Sequence, residues 1–185
     1  MYAGVGIMGK ALHGKDSVAQ VLVDEYRYER VGFADELKRD VAQLLRDEPG
    51  NAPIDDLDWI NDCKRIPAVR TLLQAYGESQ REIHGQDYWI ERLFNYIYGH
   101  FPTPGFPRIV IPDVRYRNEA ATLERRGFIL IRVVRPGFHN GLSPSARSHL
   151  SETDLDNYRP GFTIVNDGSL DDLREKVRDW HRFAR

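Results

Sequence analysis

The chain has 185 residues, enough for one domain with a sizeable core. Its composition, 41% hydrophobic and 29% charged, is that of a globular protein, and 26 basic against 28 acidic residues leave a net charge of −2, which gives no support to an extended nucleic-acid-binding face. A single cysteine, Cys63, excludes an internal disulfide framework and fits a reducing compartment, and no apolar run approaches the roughly 20 residues of a membrane span.

The first predicted strand, Tyr2–Met8, lacks the basic-then-apolar pattern of a secretory signal, so the expected location is the cytoplasm. It runs into Gly9-Lys10-Ala11-Leu12-His13-Gly14-Lys15-Asp16-Ser17. Gly9, Gly14 and Lys15 fit the phosphate-binding pattern G-x-x-x-x-G-K, with a strand before it and a predicted helix, Gly14–Tyr26, after it. Glycines let consecutive backbone N–H groups turn inward around a phosphate. The helix start adds partial positive charge and donors, and Lys15 supplies a mobile point charge for the β- and γ-phosphates. The plainer alternative is a glycine-rich turn with a solvated lysine. Asp16 stands where Ser or Thr usually holds Mg²⁺, with Ser17 one later. A carboxylate beside a polyphosphate is repulsive unless a cation lies between them. Asp16 therefore either binds the metal or its water, or caps the helix start.

Further along, Tyr28–Phe33 reads as a short strand and Ala34–Asp47 as a helix with Leu37, Val41, Leu44 and Leu45 at helical spacing. Glu48–Asp56 is a loop. Pro67–Ile83 is a helix with proline in its first turn and Gly77 as an interruption point, and Asp87–His100 is a second helix. Arg108–Asp113 is an apolar strand, and Pro112 implies that its hydrogen bonding ends there. Tyr116–Arg126 is a helix closed by Gly127, and Phe128–Val134 a continuous β-branched strand, the signature of a parallel strand buried on both faces. Gly137–Ser148 reads as a mobile loop, Phe162–Val165 as the last strand and Leu170–Phe183 as the closing helix. Five strands alternating with helices imply an α/β fold with a parallel sheet and helices on both faces. Ligands sit at the carboxyl ends of such strands, where Lys15, Asp35, Asp113 and Arg135 should gather.

Phosphoryl transfer needs Mg²⁺, positioned acids and several cations around the moving group. Asp113, at the end of an apolar strand, is the candidate metal acid, with a strand-end turn residue as the plainer reading. Arg115 and Arg117 follow it; Arg132 and Arg135 flank the next strand end, and alternation sends these two to opposite faces. Arg135 is the favoured cation, and a small-residue loop carrying Arg147 would suit a closing lid. Arg70, Gln74, Gly77 and Arg81 fall near one helical face. Arg70 and Arg81 could grip a second anion and Gln74 a base edge, or the face could be ordinary and exposed. Ser151 with Asp154 resembles a capping box, and His149 is a phosphate contact or a plain surface histidine. Tyr88, Trp89 and Tyr96 are better read as core than as base-stacking groups.

These motifs, in order, carry a resemblance. Gly9–Ser17, Phe33-Ala34-Asp35 with Leu37-Lys38, Leu72-Leu73-Gln74 with Gly77 and Arg81, Trp89, Asp113-Val114-Arg115 with Asn118-Glu119-Ala120, His149-x-Ser151-Glu152 and Asn166-Asp167-Gly168-Ser169-Leu170 look like the deoxynucleoside monophosphate kinases of tailed phages. In that family Asp follows the loop lysine, as Asp16 does; Glu78 stands where a threonine is expected. The resemblance implies a three-layer P-loop kinase fold over residues 1–185, with an acceptor-binding helical region about 34–100 and a lid about 136–152. It implies ATP- and Mg²⁺-dependent conversion of dNMP to dNDP in the cytoplasm, that of the host if the chain is phage-encoded. The nucleotide would lie on Gly9, His13, Gly14, Lys15, Asp16 and Ser17. The acceptor would lie on Asp35, Lys38, Arg70, Gln74 and Arg81, and the metal on Asp16, Ser17 and Asp113. Lys15, Asp113, Arg115 and Arg135 would act on the transferring group. No nucleic acid or membrane is implied, and a homodimer is left open. Phosphomevalonate kinases of the P-loop type, dephospho-coenzyme-A kinases and a non-catalytic nucleotide-binding module are the alternatives.

Overall fold

Strand β1 (Gly4–Met8) is buried at all five positions, as an apolar run flanked on both sides must be. The computed structural model describes residues 4–46, 60–61, 66–101, 107–139, 141 and 147–184. The chain falls into two units, Met1–Val31 with Phe101–Arg185, and Gly32–His100.

In the first unit β1 leads into α1 (Lys15–Tyr26) and β2 (Glu29–Arg30). After the second unit come β3 (Ile109–Val114), the segment Arg117–Arg125 (α5), β4 (Phe128–Val134), the four-residue helix Leu150–Thr153 (α6), β5 (Phe162–Val165) and Leu170–Phe183 (α7). The sheet is five-stranded, in the order β2-β3-β1-β4-β5, and every pairing is parallel. The expected α/β fold class is what the structure has. On one face Val5, Ile7, Ile131, Val133 and Ile164 pack with Val18 and Leu22 of α1 and Leu173, Val177 and Trp180 of α7. On the other, Leu123 of α5 approaches Gly6 and Leu130. The result is three layers. Because β1 lies between β3 and β4, the chain leaves it in opposite directions on its two sides, and the loop after β1 occupies the crevice at that switch point. Among the described residues no helix is long and apolar enough to cross a membrane.

In the second unit α2 (Phe33–Arg46), α3 (Pro67–His84) and α4 (Tyr88–His100) pack together. Val41, Ala42 and Ile60 are buried under Leu45, Val69, Leu73 and Tyr76. Trp89 is buried core, as its reading required, and its indole N–H donates to the Gly77 carbonyl at 3.0 Å. Arg92 of α4 reaches Asp40 at 3.0 Å and Glu36 at 3.0 Å on α2, and the Tyr88 hydroxyl at 3.1 Å.

Several expectations need correction. The strand expected over Tyr28–Phe33 is two residues long, paired only as Glu29 with Ile109 and Arg30 with Val110. Phe33 already belongs to α2, because the Asp35 carboxylate accepts the Gly32 N–H at 2.7 Å and starts the helix there. Leu44 is 53% exposed and not on the buried face. Gly77 does not interrupt α3. Pro112 does not end β3. Gly6 pairs with Ile111 but Met8 with Val114, so β3 gains a residue at Pro112–Asp113, a bulge that absorbs the missing donor. Ser151 is not a cap: His149 caps α6 by accepting the Ser151 N–H at 3.2 Å, and Asp154 instead accepts the Arg117 N–H at 2.7 Å. The expected loop over residues 48–56, and residues 140 and 142–146 of the lid expected over about 136–152, lie outside the described residues.

Candidate active site

The loop after β1 is shaped by two glycines at positive φ, where a side chain would be strained. Gly9 has φ 142° and a Cβ there would sit 2.3 Å from the Val133 carbonyl oxygen. Gly14 has φ 102°, and a Cβ there would sit 2.7 Å from the Asn166 side-chain nitrogen. Asn166 braces the loop from the end of β5, donating to the His13 carbonyl at 3.0 Å. Gly14 is also the N-cap of α1, with no side-chain cap, so this helix start is built from backbone donors. Asp16 is exposed in the first turn and makes no capping bond, so at the helix start it acts through its charge alone.

Lys15 is 7% exposed and donates to the Lys10 carbonyl at 2.9 Å. Burial brings its ammonium down to about 8, reinforced by Arg115 and opposed by Glu152, Asp16 and Asp113. Those five charges therefore share one neighbourhood. Burial, and then Lys15, also lowers the His13 imidazole; its Nδ1 accepts the Arg135 backbone N–H at 3.2 Å. The Arg135 guanidinium lies 4.3 Å from the Phe138 ring centre.

Arg115 is fixed from two sides. Glu119 accepts its backbone N–H at 2.8 Å and starts α5, while its guanidinium reaches Glu152 at 2.5 Å and the Ser151 carbonyl at 3.3 Å. Glu152, 8% exposed, also accepts the Ala11 N–H of the loop at 3.0 Å. Burial opposes its charge, yet Arg115 and the Ala11 N–H hold its carboxyl below the usual range. Lys10 donates to the Glu152 carbonyl and pairs with Asp156. Arg132 is occupied structurally, donating to the Leu155 and Tyr158 carbonyls at 2.7 Å each. Gly9, His13, Arg115, Arg132 and Glu152 line a cavity of about 210 Å³.

The second unit is described by itself. Asp35 and Lys38, 5% and 9% exposed, form an ion pair at 3.3 Å. Arg70, Gln74 and Arg81 are half-buried on α3 and share a face with buried Gly77. Glu78 is exposed beside them.

A family model for deoxynucleotide monophosphate kinase matches residues 52–177. The chain belongs to the deoxynucleotide monophosphate kinase family. Two curated relatives carry that description. The protein of Enterobacteria phage T4 is 32% identical over 124 residues, 66% of this chain and 48% of that one. The protein of Escherichia phage RB69 is 30% identical over 119 residues, 64% of this chain and 46% of that one. The chain thus spans about half the length of these two relatives. Among solved structures, dephospho-CoA kinase from Campylobacter jejuni superposes with a TM-score of 0.51 at 10% identity, covering 98% of this chain and 96% of that one. That likeness is one of fold.

The kinase-family site holds three residues to which sequence reasoning gave no role. Glu152 and Asn166 stood inside recognised motifs, but their partners, Ala11 and His13, are far away in the chain. Lys10 stood within the phosphate loop, and its partners, the Glu152 carbonyl and Asp156, are likewise far away in the chain. Sequence offered no signal for these pairings, since each depends on the sheet order.

Proposed function

We propose that this chain transfers the γ-phosphate of ATP, with Mg²⁺, to a deoxynucleoside monophosphate, giving the diphosphate and ADP. One observation carries the reading: a glycine-shaped loop at the switch point of a parallel sheet, with Lys15 buried at a helix start and Arg115 beside it, in a chain of this family. Loop backbone donors between Gly9 and Ser17, with His13 beside them, receive the donor phosphates. Lys15, Arg115 and Arg135 carry positive charge to the transferring phosphoryl group, whose negative charge spreads over its oxygens in the transition state.

Among the described residues no three His, Cys, Asp or Glu side chains form a ready-made metal cluster. Asp16, Ser17 and Asp113 nevertheless fit Mg²⁺, which takes one or two carboxylates and keeps several waters. Both carboxylates act on Lys15, so both lie in the same field. When bound, the ion neutralises phosphate charge as it moves to the leaving ADP. Asp35, Lys38, Arg70, Gln74 and Arg81 are assigned to the acceptor, the two arginines to its phosphate and Gln74 to its base. Residues 34–100 form the acceptor region and about 136–152 the lid. The phage origin of the two relatives supports action in a host cytoplasm.

An acceptor panel tests this. ADP release is measured with ATP and Mg²⁺ against the four common dNMPs, phosphomevalonate and dephospho-coenzyme A. Turnover with one or more dNMPs and not with the other two is expected. Turnover restricted to either of the others reassigns the acceptor, and no turnover with any reduces the chain to a nucleotide-binding module.

A further inference from the structure

Glu152 places its carboxylate on a backbone N–H of the phosphate loop, that of Ala11, and the transfer chemistry above makes no use of it. Its two oxygens are divided between groups that a polyphosphate would want. Oε2 accepts the Ala11 N–H at 3.0 Å, and Oε1 accepts from Arg115 at 2.5 Å. Lys15 is meanwhile turned onto a carbonyl of its own loop, that of Lys10, at 2.9 Å. Each of these donors and cations is thus held by a protein oxygen.

The carboxylate is not needed to dock its segment. The Glu152 carbonyl is held by Lys10, the Ser151 carbonyl by Arg115 at 3.3 Å, and the Asp154 carbonyl by Arg117 at 2.9 Å. Arg132 fixes the following turn through the Leu155 and Tyr158 carbonyls. All of these contacts use backbone oxygens and would survive loss of the side-chain charge. A buried carboxylate whose segment is docked by other contacts, and which sits on an anion-binding N–H and a guanidinium, has the chemistry of a bound anion. It cannot share these two partners with a polyphosphate without strong like-charge repulsion.

We propose that Glu152 is an internal stand-in for a nucleotide phosphate, holding the Ala11 N–H and Arg115 until the incoming polyphosphate takes both. Arg115 then exchanges one anion for another and meets the phosphoryl group only when a nucleotide is present. Glu152 is in this sense a positioning residue, and the inference rests on the loop being a phosphate site.

The test is calorimetric binding of inorganic tripolyphosphate to the whole chain, as wild type, Glu152→Gln and Glu152→Asp. The amide keeps shape and loses charge, so Glu152→Gln should bind at least about fivefold tighter, with a matching fall in KM for ATP. Glu152→Asp keeps the competing charge and should bind within about twofold of wild type. Unchanged or weaker binding by Glu152→Gln overturns the stand-in while leaving the phosphate loop intact. Absence of binding of both tripolyphosphate and ATP by all three proteins overturns the loop reading and this inference with it. If a variant does not fold, the ¹³C-labelled Glu152 carboxyl resonance of the wild type decides the matter. It should shift on adding tripolyphosphate, and a resonance that stays in place counts against the exchange.

Discussion

Lys15 sits where burial and Arg115 disfavour its charge and three acids offset only part of that, leaving its ammonium at about 8. A polyphosphate adds negative charge beside it and completes that balance. Lys15→Ala should leave the fold intact and reduce kcat by on the order of a thousandfold, since a cation on the transferring phosphate is lost. Steady-state kinetics on the folded variant check this, and retention of more than about a tenth of the wild-type rate removes Lys15 from the role. The two arginines of the β4 end divide differently. Arg132 donates to two carbonyls, so Arg132→Met should lower stability by about 2–3 kcal/mol in thermal or denaturant unfolding. The Arg135 backbone N–H donates to His13, its carbonyl accepts the Phe138 N–H at 3.3 Å and its guanidinium lies over the Phe138 ring, so Arg135→Ala should change stability little and depress kcat. A normal kcat in Arg135→Ala returns it to an ordinary surface arginine. Strand alternation was enough to separate these two residues from sequence. It could not say that Arg132 serves a turn more than 20 residues later, because that contact exists only once the chain has folded back.

At the scale of elements, the long regular pieces were legible and the irregular ones were not. Phe128–Val134, Phe162–Val165 and Leu170–Phe183 are found at their expected bounds. The two strands are rich in β-branched residues, and the helix has a capped start, Ser169 with Asp172. β2 was overestimated because an edge strand pairs only where its neighbour reaches, and here the Asp35–Gly32 bond begins a helix first. The Pro112 bulge was read as an end because a missing donor looks the same in sequence whether a strand stops or shifts register. The bulge has a consequence for chemistry, since an inserted residue re-aims the side chains beside it. Asp113 is the residue so placed. Asp113→Asn should lower activity and raise the Mg²⁺ concentration needed for half-maximal rate, with metal-free nucleotide binding nearly unchanged. An unaltered Mg²⁺ dependence in that titration removes Asp113 from the metal site.

At the scale of the whole molecule, the strand order β2-β3-β1-β4-β5 turns a local glycine motif into a site, by bringing Arg115 and Glu152 to a loop more than 100 residues earlier. The alternation of strands and helices foretold the parallel sheet, whereas those long-range pairings follow only from the order of its strands. The second unit is assigned the acceptor. Arg70→Lys and Arg81→Lys keep charge but lose the planar fork, so each should raise KM for dNMP more than KM for ATP. Equal effects on both substrates in a two-substrate kinetic matrix would sink that division of labour. The central claim, transfer of a phosphoryl group from ATP to a deoxynucleoside monophosphate, is tested most directly by ³¹P NMR of one reaction mixture. With ATP, Mg²⁺ and dNMP, the account predicts dNDP phosphate resonances growing in step with those of ADP in the wild type, and neither growing with Lys15→Ala. ADP accompanied by inorganic phosphate and no dNDP would contradict it.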